Sequence, residues 1–387
     1  MIIEIRKAGF LNKGAELMLL AVIQQLRNRY PNAKLTMAPI FGGSPDTYEK
    51  MSALRLFPKA WLWRYGFNFG VPLKLIPRKL LDLHGLVMDH EVDVVIDAAG
   101  FSYSDQWGVR SSRELADSSS KWKKRGTKLI LLPQALGPYN SDSIANYVRK
   151  WANNADLIFP REDDSYTYLT DLVGVQDKIR VCPDFTNLID GTIPSGYLPD
   201  DKRVAIVPNY RMVDKTTKEE SDAYIPFMSR CARYLVDVGA KPFVLVHEGE
   251  SDRLLAEVIS AAAGGIPIVR ETNPLHIKGI IGTCDASIGS RFHGLVSALA
   301  QGVPSLATGW SHKYKRLFED YGFGEGVISV LDNDECAQRK IDMILSTGSA
   351  QLIRHGLNEK SEHLKRRSTD MWCQVFKVIE SREPRKF

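Results

Sequence analysis

The stretch at residues 286–322, ASIGSRFHGLVSALAQGVPSLATGWSHKYKRLFEDYG, decides how the rest of the chain is read. It opens on a short apolar strand at 286–288, which Gly289 and Ser290 turn into Arg291-Phe292-His293-Gly294, the start of a helix. Leu295, Val296, Leu299 and Ala300 give that helix an apolar face, and Gly302 with Pro304 ends it. A second strand at 304–307 then runs into Gly309-Trp310-Ser311-His312-Lys313. Two strand ends therefore deliver two cationic pairs, Arg291 with His293 and His312 with Lys313. In parallel α/β sheets ligands sit outside the carboxyl ends of the strands. A helix N-terminus there offers unsatisfied N–H groups and a positive dipole end, which suits a phosphate or carboxylate. Cations are mildly unfavourable at that end of a helix. Four of them at neighbouring strand ends thus point to a bound anion, unless they are only solvated or bonded to nearby carbonyls.

Outward from this stretch the same alternation recurs. In the second half, strands are expected at 203–207, 242–246, 267–269, 286–288, 304–307 and 327–330, with helices near 219–238, 251–263, 274–282, 293–301, 313–321 and 334–346. In the first half, strands are expected at 2–5, 34–38, 92–98, 128–132, 156–159 and 179–182. Residues 100–105 and 133–138 read as loops at strand ends, and Asn12 as the cap of a helix carrying Leu17, Leu20, Ala21, Ile23 and Leu26. Such alternation calls for parallel sheets with helices on both faces, an α/β protein of two Rossmann-like, doubly wound domains. Gly191, Pro194, Gly196 and Pro199 mark a linker, which places the boundary near residue 195: domains at 1–195 and 196–350. A long polar helix at 351–380, within a terminal segment 351–387, is expected to return to the first domain.

The blocks Ser290-Arg291-Phe292-His293-Gly294, Gly302-Val303-Pro304, Trp310-Ser311-His312-Lys313-Tyr314 and Asp320-Tyr321-Gly322 resemble the polysaccharide pyruvyl transferase family. Pro133-Gln134-Ala135-Leu136-Gly137-Pro138 resembles that family's Pro-Gln-x-x-Gly-Pro loop. Arg161-Glu162, with Ser165 and Tyr168-Leu169 after it, resembles its Arg-Glu block. Asn12-Lys13-Gly14-Ala15-Glu16 departs from its Asn-x-Gly-Asp motif, the acidic residue being displaced. The resemblance implies a glycosyltransferase-B-like fold with a cleft between two domains. It also implies transfer of an enolpyruvyl-derived group from phosphoenolpyruvate to a sugar, giving a pyruvate ketal. The second domain would hold the phosphoenolpyruvate; the first would face the acceptor, a sugar or lipid-linked saccharide, and supply Arg161.

Ketal formation requires fixed cations on the carboxylate and phosphate, a proton for the enol methylene, and two attacking hydroxyls. Arginine grips planar anions in bidentate fashion. Histidine titrates near neutrality and carries protons. Lysine sets a point charge against a leaving phosphate. Arg161, His293 and Lys313 form the expected catalytic set. Arg291, Ser290, His312, Asn12, Gln134 and Asp184 are the expected binding residues, with His312 an alternative to His293 as proton donor and Asp97 and Ser104 at further strand ends. The scheme needs no cofactor and no metal; Asp332-Asn333-Asp334 reads as a helix cap. Two other readings stand beside it. One is a nucleotide-sugar glycosyltransferase or epimerase of the same architecture, for which no Gly-rich diphosphate loop is evident in the second half. The other is a non-catalytic glycan-binding relative.

Composition narrows the field. The 387 residues carry 51 Lys and Arg against 46 Asp and Glu, a net charge of +5, too small to argue for nucleic acid. Cys182, Cys231, Cys284, Cys336 and Cys373 are dispersed, without CxxC spacing, and fit a reducing compartment. No secretory leader or spanning segment is evident, so a cytoplasmic enzyme is expected. Residues 55–79 interleave Phe57, Trp61, Trp63, Tyr65, Phe67 and Phe69 with Arg55, Lys59, Arg64, Lys74, Arg78 and Lys79. This segment is read either as aromatics packed on the domain or as peripheral contact with the inner face of a membrane.

Overall fold

Mostly apolar runs two to nine residues long build two parallel sheets. The computed structural model describes residues 1–39, 46–61, 77–197, 203–309 and 312–382, without the side chains of Arg78 and His312. Trp63, Arg64, Tyr65, Phe67, Phe69 and Lys74 of the proposed membrane segment, and Trp310 and Ser311, lie outside these residues. The chain divides into two units, Met1–Phe185 with Arg367–Phe387, and Thr186–Arg366.

In the first unit the described strands are β1 (Ile2–Arg6), β2 (Lys34–Met37), β3 (Phe57–Pro58), β4 (Val94–Asp97), β5 (Phe101–Tyr103), β6 (Lys128–Leu136) and β7 (Leu157–Pro160). They run in the order β3-β2-β1-β4-β6-β5, with β7 also on β6, and all pairings are parallel. Two expected loops are corrected here. Residues 133–136 continue β6, and a register shift between Leu131 and Gln134 accommodates the ring of Pro133, which has no N–H to give. The lengthened β6 leaves Ala135 and Leu136 for residues 101–103 to pair with, so that expected loop carries β5. The expected strand at 179–182 reduces to one bridge, Ile158 to Ile179.

The second unit holds β8 (Arg203–Val207), β9 (Lys241–Val246), β10 (Ile268–Arg270), β11 (Ala286–Gly289) and β12 (Ser305–Ala307), all parallel, in the order β10-β9-β8-β11-β12. The order reverses beside β8, the switch point at which doubly wound sheets open a crevice at their carboxyl edge. The expected strand at 327–330 is only a bridge from Val327 to Ala307.

The change of unit at Phe185–Thr186 comes ten residues before the linker composition suggests, because residues 186–192 are fastened to the helix Pro274–Gly282. Lys278 Nζ donates to the carbonyl of Thr186 (2.8 Å) and Thr192 N–H to that of Leu275 (3.0 Å). Gly191 and Gly279 meet so closely that a Cβ on Gly191 would stand 2.4 Å from the nitrogen of Gly279. The last helix, Thr347–Glu380, starts in the second unit and passes to the first at Arg367. Leu357, Leu364, Met371, Val375 and Ile379 are its buried stripe, and Leu352 is exposed.

Lys59, one of the cations interleaved with aromatics at 55–79, is buried between Glu4 (2.6 Å) and Asp89 (2.8 Å), because the short β3 draws it into the sheet. The two carboxylates respond differently. Burial dominates at Glu4 and pushes its pKa up despite Lys59. At Asp89 burial also acts upward, but Lys59, Trp122 Nε1 and Arg125 together hold the group well below the usual carboxylate range. A depressed acid stabilises the fold above its unfolded pKa and loses that contribution as pH falls through the folded one. Urea midpoints measured from neutrality down to about pH 2 are therefore expected to fall in the acid range for the native chain and to fall less for Asp89→Asn. The variant should be weaker at neutrality by ~1–3 kcal/mol, since Trp122 and Arg125 lose a charged acceptor. Parallel acid limbs in the two proteins would remove Asp89 from the account.

Candidate functional site

The carboxyl edge of the second sheet gathers its polar residues where β8, β9, β11 and β12 end. After Gly289, Ser290 is fully buried; its hydroxyl lies between those of Tyr224 (2.8 Å) and Thr308. The carbonyl of Ser290 accepts from Asn209 Nδ2 (2.7 Å) and Tyr314 Oη (2.9 Å). Burial holds the Tyr224 phenol pKa up to about 12, so it remains a neutral donor and acceptor in this network. Ser290, expected to touch substrate, is thus enclosed, and its bonds fix where β11 gives way to the helix Phe292–Leu299.

Arg291 is the N-cap residue of that helix, and it too departs from expectation. Its Nε and Nη2 donate to the two carboxylate oxygens of the buried Asp252 (2.8 and 2.6 Å), and Nη1 pairs with Glu248. Burial lowers the guanidinium pKa, but Glu248 and Asp252 outweigh it and the net shift is upward. The charge expected to require a bound anion is met by two carboxylates. Arg291 ties the helix start to Glu248 and to the helix Gly249–Ala262, whose Asp252 also accepts from Tyr210 N–H (3.0 Å).

With Arg291 committed, the cationic chemistry passes to His293 and Lys313. Both are half-buried, and both pack on the ring of Phe292: the His293 imidazole edge-on at 5.5 Å, the Lys313 ammonium 5.2 Å from its centroid. Lys313 lies also 5.5 Å from the ring of Tyr314, and the Tyr314 ring meets Phe292 at 79°. An ammonium near aromatic faces is attracted by the ring quadrupole. Lys313 is placed by the first turn of the helix His312–Asp320, whose strongly amphipathic face buries Tyr314, Leu317 and Phe318. A Cβ on Gly294 would make ordinary contacts with Arg291 and Val207 (3.5 Å each) and with the ring of His247 (3.7 Å), a buried histidine at the end of β9. His247, Glu248 and Asp252 escape sequence reading, although His247-Glu248-Gly249-Glu250 at a strand end was a signal of the same kind as Arg291-Phe292-His293.

In the first unit, three expected residues meet. Arg161 follows β7, is 5% exposed, and lies 3.2 Å from Asp184 and 3.9 Å from Glu162. Its backbone N–H donates to the carbonyl of Gln134, and the buried Gln134 side chain donates to that of Leu132 (3.3 Å). Arg161 is therefore a buried guanidinium set by Asp184, rather than a surface pair. Asn12 stands apart from this group as a helix cap, accepting from the N–H groups of Gly14 (2.8 Å) and Ala15 (3.1 Å). The displaced Glu16 pairs with Lys13 (2.9 Å) and Lys50 (3.5 Å), and Asp97 is enclosed with Arg6 and Tyr103. Asn333 caps its helix by accepting from Cys336 N–H (2.9 Å). Among the described residues no group of three His, Cys, Asp or Glu is placed to hold a metal, and no helix is long and apolar enough to cross a membrane.

Comparison with solved structures establishes the architecture. The chain is similar to a Staphylococcus aureus MnaA solved with UDP (TM-score 0.60, 10% identity, 100% of this chain and 99% of that one). It is similar to a UDP-GlcNAc 2-epimerase from Neisseria meningitidis bound to UDP-GlcNAc (0.60, 10%, 97% and 99%). It is also similar to Anabaena HepE in complex with UDP (0.55, 13%, 98% and 99%). At these identities the likeness is one of fold, a glycosyltransferase-B-like pair of α/β domains. The family model for polysaccharide pyruvyl transferase matches residues 12–312, a span that takes in Arg161, Ser290, Arg291 and His293 and stops one residue short of Lys313. With that match over most of its length, and with the edge of its second sheet built as described, this chain belongs to the polysaccharide pyruvyl transferase family.

Proposed function

We propose that the protein transfers a pyruvyl group from phosphoenolpyruvate to a saccharide, forming a ketal and releasing phosphate. The observation that supports this reading most is the placement of His293 and Lys313 on one aromatic ring at the start of two helices on the carboxyl edge of a doubly wound sheet. A family that modifies polysaccharides implies a saccharide acceptor. In the reaction, the His293 imidazolium gives its proton to the methylene carbon of phosphoenolpyruvate, and positive charge builds on the carbon bearing the phosphate. A sugar hydroxyl oxygen bonds to that carbon and loses its proton. A second hydroxyl oxygen then displaces phosphate and loses its own proton, leaving a methyl-bearing ketal carbon. Lys313 offsets the charge gathering on the departing phosphate, a role suited to an ammonium held in a partly dry site. Arg161 is read from the family motif as acting in the same reaction, with its guanidinium oriented by Asp184. No step calls for a metal or an organic cofactor. The protein is read as acting in the cytoplasm, on a free or lipid-linked acceptor.

Calorimetric titration distinguishes this reading from a nucleotide-sugar enzyme. Phosphoenolpyruvate is expected to bind the native protein, and Lys313→Ala to weaken that binding by ~10-fold or more, a loss of about 1.4 kcal/mol or greater. Tight binding of UDP or a UDP-sugar with no binding of phosphoenolpyruvate would replace the proposal with the epimerase or glycosyltransferase reading.

A further inference from the structure

The first unit holds a second polar site that the pyruvyl-transfer chemistry does not use. Where β1 and β2 end, a cavity of about 240 Å³ opens among Arg6, Lys7, Leu11, Lys59, Trp61 and Glu114. It falls below the roughly 300–1,000 Å³ usual for drug-sized ligands, so it suits a single ring rather than a nucleotide sugar. Two of its three cations, Arg6 and Lys59, are already matched by carboxylates. Arg6 faces Asp97 (3.3 Å) and Glu114, and Lys59 faces Glu4 (2.6 Å) and Asp89 (2.8 Å). A wall of paired ions presents donors and acceptors side by side and has little net charge to give a phosphate. Hydroxyl groups, which donate and accept at once, fit such a wall.

The opposite character is also present. Trp61 is half-buried with the Lys59 ammonium 5.4 Å from its ring, and Leu11 is 57% exposed at the cavity. These supply an apolar surface for the C–H face of a ring. Lys7 adds a sign of construction: it follows β1 directly with φ of +62°, a left-handed backbone that lysine seldom adopts. That conformation carries its ammonium to Ser111 Oγ (3.3 Å), with the Tyr103 ring 6.0 Å away. Burial, and then Arg6, hold the Lys7 pKa below the usual lysine value.

We infer that this cavity is a subsite for one uncharged sugar ring of the acceptor, with Lys7 and Glu114 bonding its hydroxyls and Trp61 and Leu11 covering its apolar face. The inference rests on the saccharide-acceptor reading above, and it excludes a uronic acid or a phosphate from this position. The test is saturation-transfer NMR on the full chain without phosphoenolpyruvate. The probes are methyl glycosides of neutral hexoses, a methyl hexuronoside, and inorganic phosphate. At least one neutral glycoside should receive saturation, and neither the hexuronoside nor phosphate should displace it. Leu11→Trp, which fills the cavity from an exposed position, and Glu114→Gln should each weaken binding by about tenfold or more. Because Glu114 also holds Arg6, thermal melts accompany that variant, and Leu11→Trp decides the matter if it unfolds. The inference is overturned if no neutral glycoside binds, if Leu11→Trp leaves binding unchanged, or if phosphate or the hexuronoside competes. A glycoside that binds and responds to Leu11→Trp upholds the subsite even when no ketal forms, in which case only the transfer reading falls. Ketal formation with an acceptor KM unaltered by Leu11→Trp overturns the subsite alone.

Discussion

His293→Gln lowers kcat for phosphoenolpyruvate-dependent transfer by ~10²–10⁴-fold, the usual contribution of a positioned general acid, with little change in the affinity for phosphoenolpyruvate. Glutamine keeps most of the volume and a hydrogen-bonding end but has no proton to deliver near neutrality. The packing beneath it is undemanding, since the imidazole meets Phe292 edge-on and the helix start is set by Ser290 and Arg291. The folded structure should therefore survive. Lys313→Ala should behave differently, losing affinity as well as turnover, because the ammonium attracts the phosphate before and during its departure. Steady-state kinetics combined with direct titration of each variant separates the two patterns. Small, equal losses in both would reduce the pair to a structural cluster on Phe292. A full loss in His312→Gln with His293→Gln active would move the proton donor to His312.

Asp252→Ala destabilises the second unit by ~3–5 kcal/mol, the cost of leaving a buried charge without its partner. Asp252 is wholly buried and receives both the bidentate grip of Arg291 and the N–H of Tyr210. Removing it leaves the guanidinium, itself 11% exposed, with Glu248 alone. The double variant Arg291→Met with Asp252→Leu removes both charges and should recover most of that loss, short of the acceptor that Tyr210 no longer finds. Denaturant titration of the single and double variants measures the difference. A double variant as unstable as Asp252→Ala would mean that the pair matters through its hydrogen bonds to neighbours rather than through charge compensation. Phosphoenolpyruvate affinity in the double variant is expected to stay within a few-fold of the native value, since Arg291 is a positioning residue in this account.

How much of this was legible in the sequence depends on the range over which each feature is decided. The strands at 203–207, 241–246 and 286–289 are continuous apolar runs between turn signals, and such local patterns read correctly. The runs at 179–182 and 327–330 have similar composition, yet each pairs through one bridge, because whether a short run finds a full partner is settled by the rest of the sheet. Pro133 argued for a loop, and only the register shift of β6 against β7 shows how the strand passes it. The site divides in the same way. Arg161, His293 and Lys313 are proposed because they sit at strand ends within recognisable blocks. The ion pairs of Arg291 were not legible because its partners, Asp252 and Glu248, lie 39 and 43 residues away, and no spacing rule connects them. The ion pairs of Lys59 were not legible for the same reason: Glu4 is 55 residues distant, and a lysine among aromatics carries no sign of the sheet that encloses it. The cavity at Lys7 gave no motif, since its paired ions come from separate strands and helices and its backbone strain has no signature in composition.

Chromatographic separation and NMR of the products from phosphoenolpyruvate and a panel of saccharide acceptors decide whether the protein transfers a pyruvyl group. The account predicts one phosphate released for each acceptor converted, a product bearing a methyl and a carboxylate on a single ketal carbon, and loss of both signals in His293→Gln. Phosphate released without acceptor, or acceptor turnover that depends on a UDP-sugar and proceeds without phosphoenolpyruvate, would contradict it.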